Sequence, residues 1–307
     1  METIEKNANS AIVYLAYGLA SSKYQVIISI LTLYHHVRTK KNDLLFVIYT
    51  DSEREILDRY LVGLPVKLEI LSKEQVKIFR GEDEYMFRLK PLIIKDFFLK
   101  YKRNILYLDS DTFFMRNPTG MINSVSAGQT IMNAKEYNLI DGGEVETLHW
   151  FNLRQGLKQH KYVINGEIVS IPLATMMWNS GVIGISYEDS PLIDKVVSLI
   201  DQMYSRCNVF NVEQFVTSYI LHTNTQLRSS EDYIDHYWHK SVKNTFNQRI
   251  PSFLEENISK TGQELYDSAF DFAKEVRTIY TPYRESIMVR ISARIKAIVL
   301  VARKGYI

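Results

Sequence analysis

Two aspartates separated by one serine, Asp109 and Asp111, end the apolar run of residues 104–108 in this chain of 307 residues. Such a run is typical of a buried strand that carries polar groups to the edge of a sheet. Two adjacent carboxylates repel one another and are costly to desolvate, so a divalent cation is a natural partner for both. A solvated turn after a core strand would give the same pattern, because short acidic motifs are common.

Two cations precede this run at the predicted start of a helix. Arg88 and Lys90 stand just before Pro91, which suits a first helical turn. Fixed cations and free N–H groups at a helix N-terminus favour phosphate, although a solvated pair of cations would look the same in the sequence.

Small polar residues interrupt a later apolar run, residues 177–185, at Asn179, Ser180 and Gly181. A glycine in a strand either permits close approach of a ligand or marks a bulge. Further on, Glu213 and Gln214 stand at the predicted start of another helix. The carboxylate could orient hydroxyl groups or act as a base, or it could serve only the helix dipole.

Two histidines, His236 and His239, lie in an aromatic-rich segment near the end of the predicted sheet. A neutral imidazole is a good ligand for a divalent metal. We expect His236 to be the ligand, with His239 as the second choice and a purely structural histidine as the alternative.

The elements around these residues alternate between strand and helix. The predicted strands and helices before the acidic motif are residues 11–16, 24–34, 44–49, 53–61, 66–71 and 92–101. This order indicates a parallel sheet. Ligands of such sheets bind beyond the carboxyl ends of the strands, where Tyr17, Asp51, Asp109 and Asp111 all fall.

Composition narrows the class of protein. With 46% hydrophobic and 23% charged residues the chain is globular, and its net charge of +2 gives no field that would recruit nucleic acid. A single cysteine, Cys207, and a polar start without a signal-peptide core predict a cytoplasmic protein. The longest apolar runs fall short of the ~20 residues that span a bilayer.

The remaining segments suggest an insertion and an appendage. Residues 136–171 form a predicted loop-rich insertion without a long periodic segment. Loops of this length are often functional, and we assign this one to recognition of an acceptor substrate. Residues 252–277 predict helix outside the sheet, and the division we expect is a catalytic domain 1–245 and a helical extension 246–307. From Arg284 onward the tail is basic and amphipathic, which predicts contact with an anionic membrane or a helix docked on its own domain.

Taken in order, the motifs of residues 10–240 resemble the nucleotide-sugar-dependent glycosyltransferases of the GT-A fold, and family eight in particular. The resemblance implies a mixed, mainly parallel sheet flanked by helices. It also implies that Asp109, Asp111 and His236 bind Mn²⁺ or Mg²⁺, and that Glu213, Gln214 and Asn179 are catalytic. The predicted donor contacts are Ala16, Tyr17, Gly18, Asp51, Arg88, Lys90, Ser110, Ser180, Gly181 and Lys240. The usual His-x-x-Gly-x-x-Lys-Pro-Trp signature of the family is absent around His236.

The resemblance implies metal-dependent transfer of a sugar from a nucleotide-diphosphate donor, with UDP as the expected nucleotide. The acceptor would be a hydroxyl of a glycan, lipid-linked or protein substrate, as in bacterial surface glycan or glycolipid synthesis, and family-eight likeness favours retention over inversion. One alternative is a phosphatase of the haloacid dehalogenase type with Asp109 as nucleophile, although Phe113 stands where its motif has Thr or Val. The other is an inactive, membrane-associated protein that binds nucleotide sugars.

Overall fold

Strands and helices alternate along most of the chain. The computed structural model describes residues 10–37, 44–140 and 147–279, so the basic tail predicted from Arg284 lies outside the described residues. The helices are α1 (Ala20–His36), α2 (Glu55–Tyr60), α3 (Lys73–Arg80), α4 (Leu89–Tyr101), α5 (Thr119–Asn123), α6 (Thr147–Gln159), α7 (Pro191–Cys207), α8 (Val212–Asn224), α9 (Lys240–Glu256) and α10 (Gly262–Ile279). The strands are β1 (Ser10–Ala16), β2 (Leu45–Thr50), β3 (Val66–Ile70), β4 (Asn104–Leu108), β5 (Thr112–Phe114), β6 (Gln129–Met132), β7 (Lys135–Asn138), β8 (Tyr162–Ile164), β9 (Glu167–Val169), β10 (Met176–Trp178), β11 (Val182–Ile185), β12 (Gln226–Ser229) and β13 (Ile234–His236).

A sheet of seven strands forms the centre, in the order β12-β6-β11-β4-β1-β2-β3. Strand β1 pairs in parallel with β2 and β4, and two further pairs, β2 with β3 and β6 with β12, are parallel as well. Strand β11 runs antiparallel to both of its neighbours, β4 and β6. The predicted mixed, mainly parallel sheet flanked by helices is therefore confirmed.

The two faces of the sheet are buried in two separate cores. In β1, Ala11 and Val13 belong to one core, whereas Ile12 and Tyr14 belong to the other, as the two-residue repeat of a strand requires. Helices α4, α7 and α8 cover the first face, and α1, α9 and α10 cover the second. Burial on both faces explains why the inner strands are continuous apolar runs. Strand β4 is the middle strand of the seven, so its carboxyl end lies between the ends of neighbouring strands.

The structure corrects two predictions made from sequence patterns. The segment 136–171 is not free of periodic structure, because β7, helix α6 and the β8–β9 hairpin all lie in it. The apolar run 177–185 is not one interrupted strand. Strand β10 pairs with β7 in a separate two-stranded sheet, and β11 lies in the central sheet, so the polar residues between them form the passage from one sheet to the other.

The helices after the sheet begin earlier than expected. Helix α9 starts at Lys240 rather than near residue 252, and the predicted division between residues 245 and 246 falls inside it. Buried side chains of α9 and α10, such as Phe246 and Phe272, lie in the same core as those of α1. Among the described residues, none of the helices combines the length and apolar character that crossing a membrane requires.

Candidate functional site

The carboxyl end of β4 is where the candidate residues meet. The backbone N–H of Asp109 donates to the carbonyl of Gly181 at 2.8 Å, and β11 continues this pairing from Val182 opposite Leu108. The apolar strands thus bring the polar passage between β10 and β11 beside the acidic motif, although the two are far apart in the sequence.

A second pairing brings His236 to the same place. After Asp111 the chain continues as β5, which pairs with β13 so that His236 lies opposite Thr112, and the N–H of Tyr237 donates to the carbonyl of Asp111 at 3.0 Å. The Nε2 atom of His236 lies 3.4 Å from Oδ1 of Asp111 and 3.8 Å from Oδ2 of Asp109.

This arrangement can hold a divalent cation. Asp109, Asp111 and His236 each offer one ligand atom, and these atoms all lie within 4.8 Å of one another. Two carboxylate oxygens and one imidazole nitrogen are donors that divalent metals accept. His239 is not part of the cluster: it is exposed, and its Nδ1 is 2.9 Å from Oγ of Ser241.

Asp111 also binds a lysine that the sequence did not single out. The ammonium group of Lys243 donates to Oδ2 of Asp111 at 2.7 Å, and its side chain is 39% exposed. Burial of Asp111 disfavours its charge, but the contacts with His236 and Lys243 outweigh burial and hold the pKa of Asp111 well below its usual range. Asp111 is therefore ionised throughout the physiological range.

Lys90 lies beneath Asp109 and is buried. Its ammonium group donates to Oδ2 of Asp109 at 3.1 Å and to the carbonyl and hydroxyl oxygens of Ser180 at 2.9 and 3.0 Å. Burial disfavours a charged lysine, yet the carboxylates of Asp109 and Glu213 outweigh it and raise the pKa of Lys90. Burial raises the pKa of Glu213, whose Oε2 lies 3.6 Å from Lys90, because the attraction of the lysine offsets only part of the desolvation.

A third group of contacts joins Asn179, Gln214 and Glu136. The amide of Asn179 donates from Nδ2 to Oε1 of Glu136 at 3.0 Å, and Gln214 donates from Nε2 to Oε2 of the same carboxylate at 2.7 Å. On its other side, Oδ1 of Asn179 lies 2.7 Å from Nδ1 of His236. The predicted catalytic residues Asn179 and Gln214 are thus connected to the cluster of Asp109, Asp111 and His236.

A cavity of about 740 Å³ opens above these groups. Its apolar walls include side chains that are half exposed, Met86 at 51%, Phe87 at 45%, Phe210 at 43% and Trp238 at 56%. The predicted site residues that line the cavity are Lys90, Asp109, Ser110, Asp111, Asn179, Ser180, Gly181, Glu213, Gln214 and His236. The size suits a small organic ligand.

The other predicted donor contacts lie elsewhere. Arg88 does not line the cavity, because its guanidinium binds both carboxylate oxygens of Asp201 at 2.5 and 2.9 Å and the carbonyl of Phe79. Lys240 is exposed in the first turn of α9 and does not line the cavity either.

Asp51 and its neighbours form a separate group at the ends of β1 and β2. Asp51 accepts from the N–H of Gly18 at 2.6 Å and from buried Lys23 at 2.7 Å. The carbonyl of Ala16 accepts from the Thr50 hydroxyl, and Tyr17 is partly buried beside it. The contacts with Gly18 and Lys23 outweigh burial and lower the pKa of Asp51.

Sequence reasoning missed Lys243, Glu136, Lys23 and Trp238. A signal existed for Lys243, since it follows Lys240 by three residues and so belongs to the same helix face. The sequence offered no comparable signal for Glu136, whose position depends on the pairing of β7 with β10.

No family model matches the sequence, and no curated protein matches it. Solved structures do resemble the chain. Mouse xyloside xylosyltransferase 1 is 13% identical with a TM-score of 0.47, over 72% of this chain and 84% of that one. Glycosyltransferase GlyE of Streptococcus pneumoniae is 15% identical with a TM-score of 0.49, over 87% and 64%. Galactosyltransferase LgtC, solved with donor and acceptor sugar analogs, is 12% identical with a TM-score of 0.48, over 84% and 99%.

Proposed function

We propose that the chain is a glycosyltransferase of the GT-A type that transfers a sugar from a UDP-linked donor to an acceptor hydroxyl. The observation that supports this proposal is the cluster of Asp109, Asp111 and His236 in the floor of a cavity that two lysines also reach. A diphosphate carries several negative charges, which a divalent cation in the cluster, Lys90 and Lys243 would together neutralise. Apolar walls above it suit the rest of a nucleotide sugar and its acceptor.

The cluster would hold Mn²⁺ in preference to Mg²⁺, since Mg²⁺ favours oxygen ligands and one of the three donors here is a nitrogen. When bound, the metal ion would neutralise charge on the departing diphosphate, on which most of the transition-state charge develops.

The two lysines are suited to different tasks. Lys90 is held by Asp109 and by both oxygens of Ser180 and is buried, so it acts as a fixed charge in the floor. Lys243 is 39% exposed and contacts Asp111 alone among the acids of the site. Its ammonium group can therefore leave Asp111 and bind a diphosphate. We assign to Lys243 the diphosphate contact that the sequence had suggested for Lys240.

The amides and carboxylates beside the cluster would bind the sugar. Glu213 accepts from the hydroxyls of Ser180 and Thr217 at 3.0 and 3.2 Å, which fixes its carboxylate rather than leaving it free to swing. A fixed carboxylate orients sugar hydroxyls well. The half-exposed rings of Phe87, Phe210 and Trp238 support an acceptor of the glycan class, because aromatic faces pack against the C–H faces of sugars.

A thermal-shift screen tests the donor- and metal-binding part of the proposal. UDP, GDP, ADP and CDP are added to the wild-type chain with Mn²⁺, with Mg²⁺ and with chelator, and ligand binding raises the melting temperature by mass action. We expect the largest shift from UDP, and only with metal present. Hydrolysis of p-nitrophenyl phosphate without any metal-dependent nucleotide binding would contradict the proposal and favour the phosphatase alternative.

The cytoplasmic location and the contact of the basic tail with anionic membrane are proposals that rest on the sequence alone. They would place the enzyme where a lipid-linked or surface acceptor is made. Sedimentation of the full chain with anionic and neutral vesicles tests the membrane contact, which salt should weaken because its electrostatic part is screened.

A further inference from the structure

The side-chain amide of Asn179 makes three contacts that together determine which of its atoms is the oxygen. One atom receives the backbone N–H of Gly181 at 2.9 Å and also faces Nδ1 of His236 at 2.7 Å. The other atom faces the carboxylate of Glu136 at 3.0 Å. A backbone N–H can only donate, so the atom beside Gly181 must be Oδ1, and the atom beside Glu136 must be the NH₂ group.

The orientation of the amide decides the protonation pattern of the imidazole. An amide oxygen can only accept, so Nδ1 of His236 must carry a proton in order to bond to it. In the neutral ring Nε2 then has the free lone pair. This is the nitrogen that lies 3.4 Å from Asp111 and 3.8 Å from Asp109, so the lone pair belongs to the nitrogen in the cluster.

Glu136 binds the NH₂ group of Asn179, at the opposite end of the amide from His236. Its two carboxylate oxygens are acceptors, one for the amide of Asn179 and the other for the amide of Gln214. With no acceptor at this position, the NH₂ group of Asn179 would lose its partner, and the contacts with Gly181 and His236 would be all that held the amide. Outer hydrogen bonds of this kind fix the tautomer and the ring orientation of metal-binding histidines.

We propose that Glu136 is a positioning residue that acts through Asn179 to hold His236 in the tautomer whose Nε2 faces the acidic cluster. The tautomer part stands on hydrogen bonds of the protein alone, and the metal-affinity part rests on the proposed function. Glu136 belongs to none of the motifs found in the sequence, and it reaches the site only because β7 pairs with β10.

Two variants of Glu136 test this role. Glu136→Leu removes both acceptor oxygens and leaves a side chain one atom shorter. Glu136→Gln removes the charge but keeps a carbonyl that can accept from Asn179, while Gln214 can turn its own amide to match the new NH₂ group. The orientation argument therefore predicts that Glu136→Leu disturbs His236 and that Glu136→Gln largely preserves it.

The first measurement is the ¹⁵N NMR spectrum of histidine-labelled, metal-free protein at alkaline pH, so that neutral tautomers and not the imidazolium ion are compared, with the His236 signals identified from their loss in His236→Ala. We expect the Nδ1-protonated form in the wild type and in Glu136→Gln, and a mixture of tautomers in Glu136→Leu. The second is Mn²⁺ affinity by calorimetry, where we expect Glu136→Leu to bind roughly 10- to 100-fold more weakly than the wild type.

A wild-type tautomer and wild-type Mn²⁺ affinity in Glu136→Leu would overturn the proposal. Equal losses in Glu136→Leu and Glu136→Gln would overturn it as well, because they would show that the charge of Glu136 matters and its hydrogen bond does not. If the wild-type chain bound no Mn²⁺, the proposed function would fail, whereas the tautomer of the metal-free protein would still decide the role of Glu136.

Discussion

Gly181 is the position where the smallest substitution should have the largest effect on the site. An ideal Cβ added there would lie 2.1 Å from Nδ1, 2.4 Å from Cε1 and 2.5 Å from Cγ of His236. The backbone of Gly181 does not have the positive φ that would itself exclude alanine. The penalty of Gly181→Ala is therefore purely steric, and it falls on the imidazole.

The size of the effect on Mn²⁺ affinity follows from the contacts that His236 would lose. Its ring lies against Gly181 and bonds to Asn179 through Nδ1, so a methyl group at Gly181 must displace the ring and disturb its contacts with the amide and the acids. Forcing an extra carbon into a packed position costs about 1–3 kcal/mol of folding free energy. Mn²⁺ affinity should fall by at least the roughly 10- to 100-fold that follows loss of an outer hydrogen bond to a ligand.

Calorimetric titration with Mn²⁺ checks this expectation, with thermal denaturation to show that the variant is folded. His236→Ala removes the ring that the methyl group would strike, so Gly181→Ala should have little further effect on Mn²⁺ affinity in the double variant. Gly120→Ala adds a methyl group to open space in α5 and serves as the matched control. Wild-type Mn²⁺ affinity in Gly181→Ala, or fully additive losses in the double variant, would refute the steric explanation.

Three further predictions concern the charged groups of the site. Lys243→Met should tighten Mn²⁺ binding, because the lysine competes for Asp111, and it should weaken metal-dependent UDP binding roughly tenfold in calorimetry, the equivalent of one charged hydrogen bond. His236→Ala should weaken Mn²⁺ binding more than His239→Ala, and the opposite ranking would move the ligand to His239. The folded-state pKa of Asp111 lies below its usual 3.8, so its charge stabilises the fold above that pH and the contribution is lost as pH falls through the folded value. Asp111→Asn should therefore cost about 2 kcal/mol of unfolding free energy near pH 7 and progressively less in acid, and a difference that does not change between pH 7 and pH 3 would contradict this.

The sequence predicts the sheet well because its signals are local. The apolar run before Asp109 and the strand–helix alternation of the first 71 residues reflect burial on both faces, and the structure places β1 to β4 in the central sheet as expected. The same locality explains the errors. The segment 177–185 is apolar on both sides of its polar residues, and nothing local shows that β10 leaves the sheet to pair with β7.

The site could be predicted only where a residue's role depends on its own strand or helix. Asp109 and Asp111 follow the apolar strand β4, and His236 stands in an aromatic-rich segment with a second histidine; the structure brings the three together. Arg88 was expected at the cavity because it stands at the start of a helix, but its charge is satisfied by Asp201 on α7, a contact between distant segments. Glu136 was missed for the same physical reason, because its partners come from two other elements.

The unequal exposure of the two lysines determines which acid can exchange partners when a ligand arrives. Lys90 is buried against Asp109, so separating that pair would remove a charged hydrogen bond from a buried ammonium group, which is strongly disfavoured. Lys243 has 39% of its side chain in solvent and can leave Asp111 at little cost, since water solvates the released ammonium group. Asp111 is therefore the carboxylate that would exchange Lys243 for a cation, whereas Asp109 would bind the cation with Lys90 still in place. A diphosphate that enters with the cation gives Lys243 a new anion, and in this way donor binding and metal binding should favour one another.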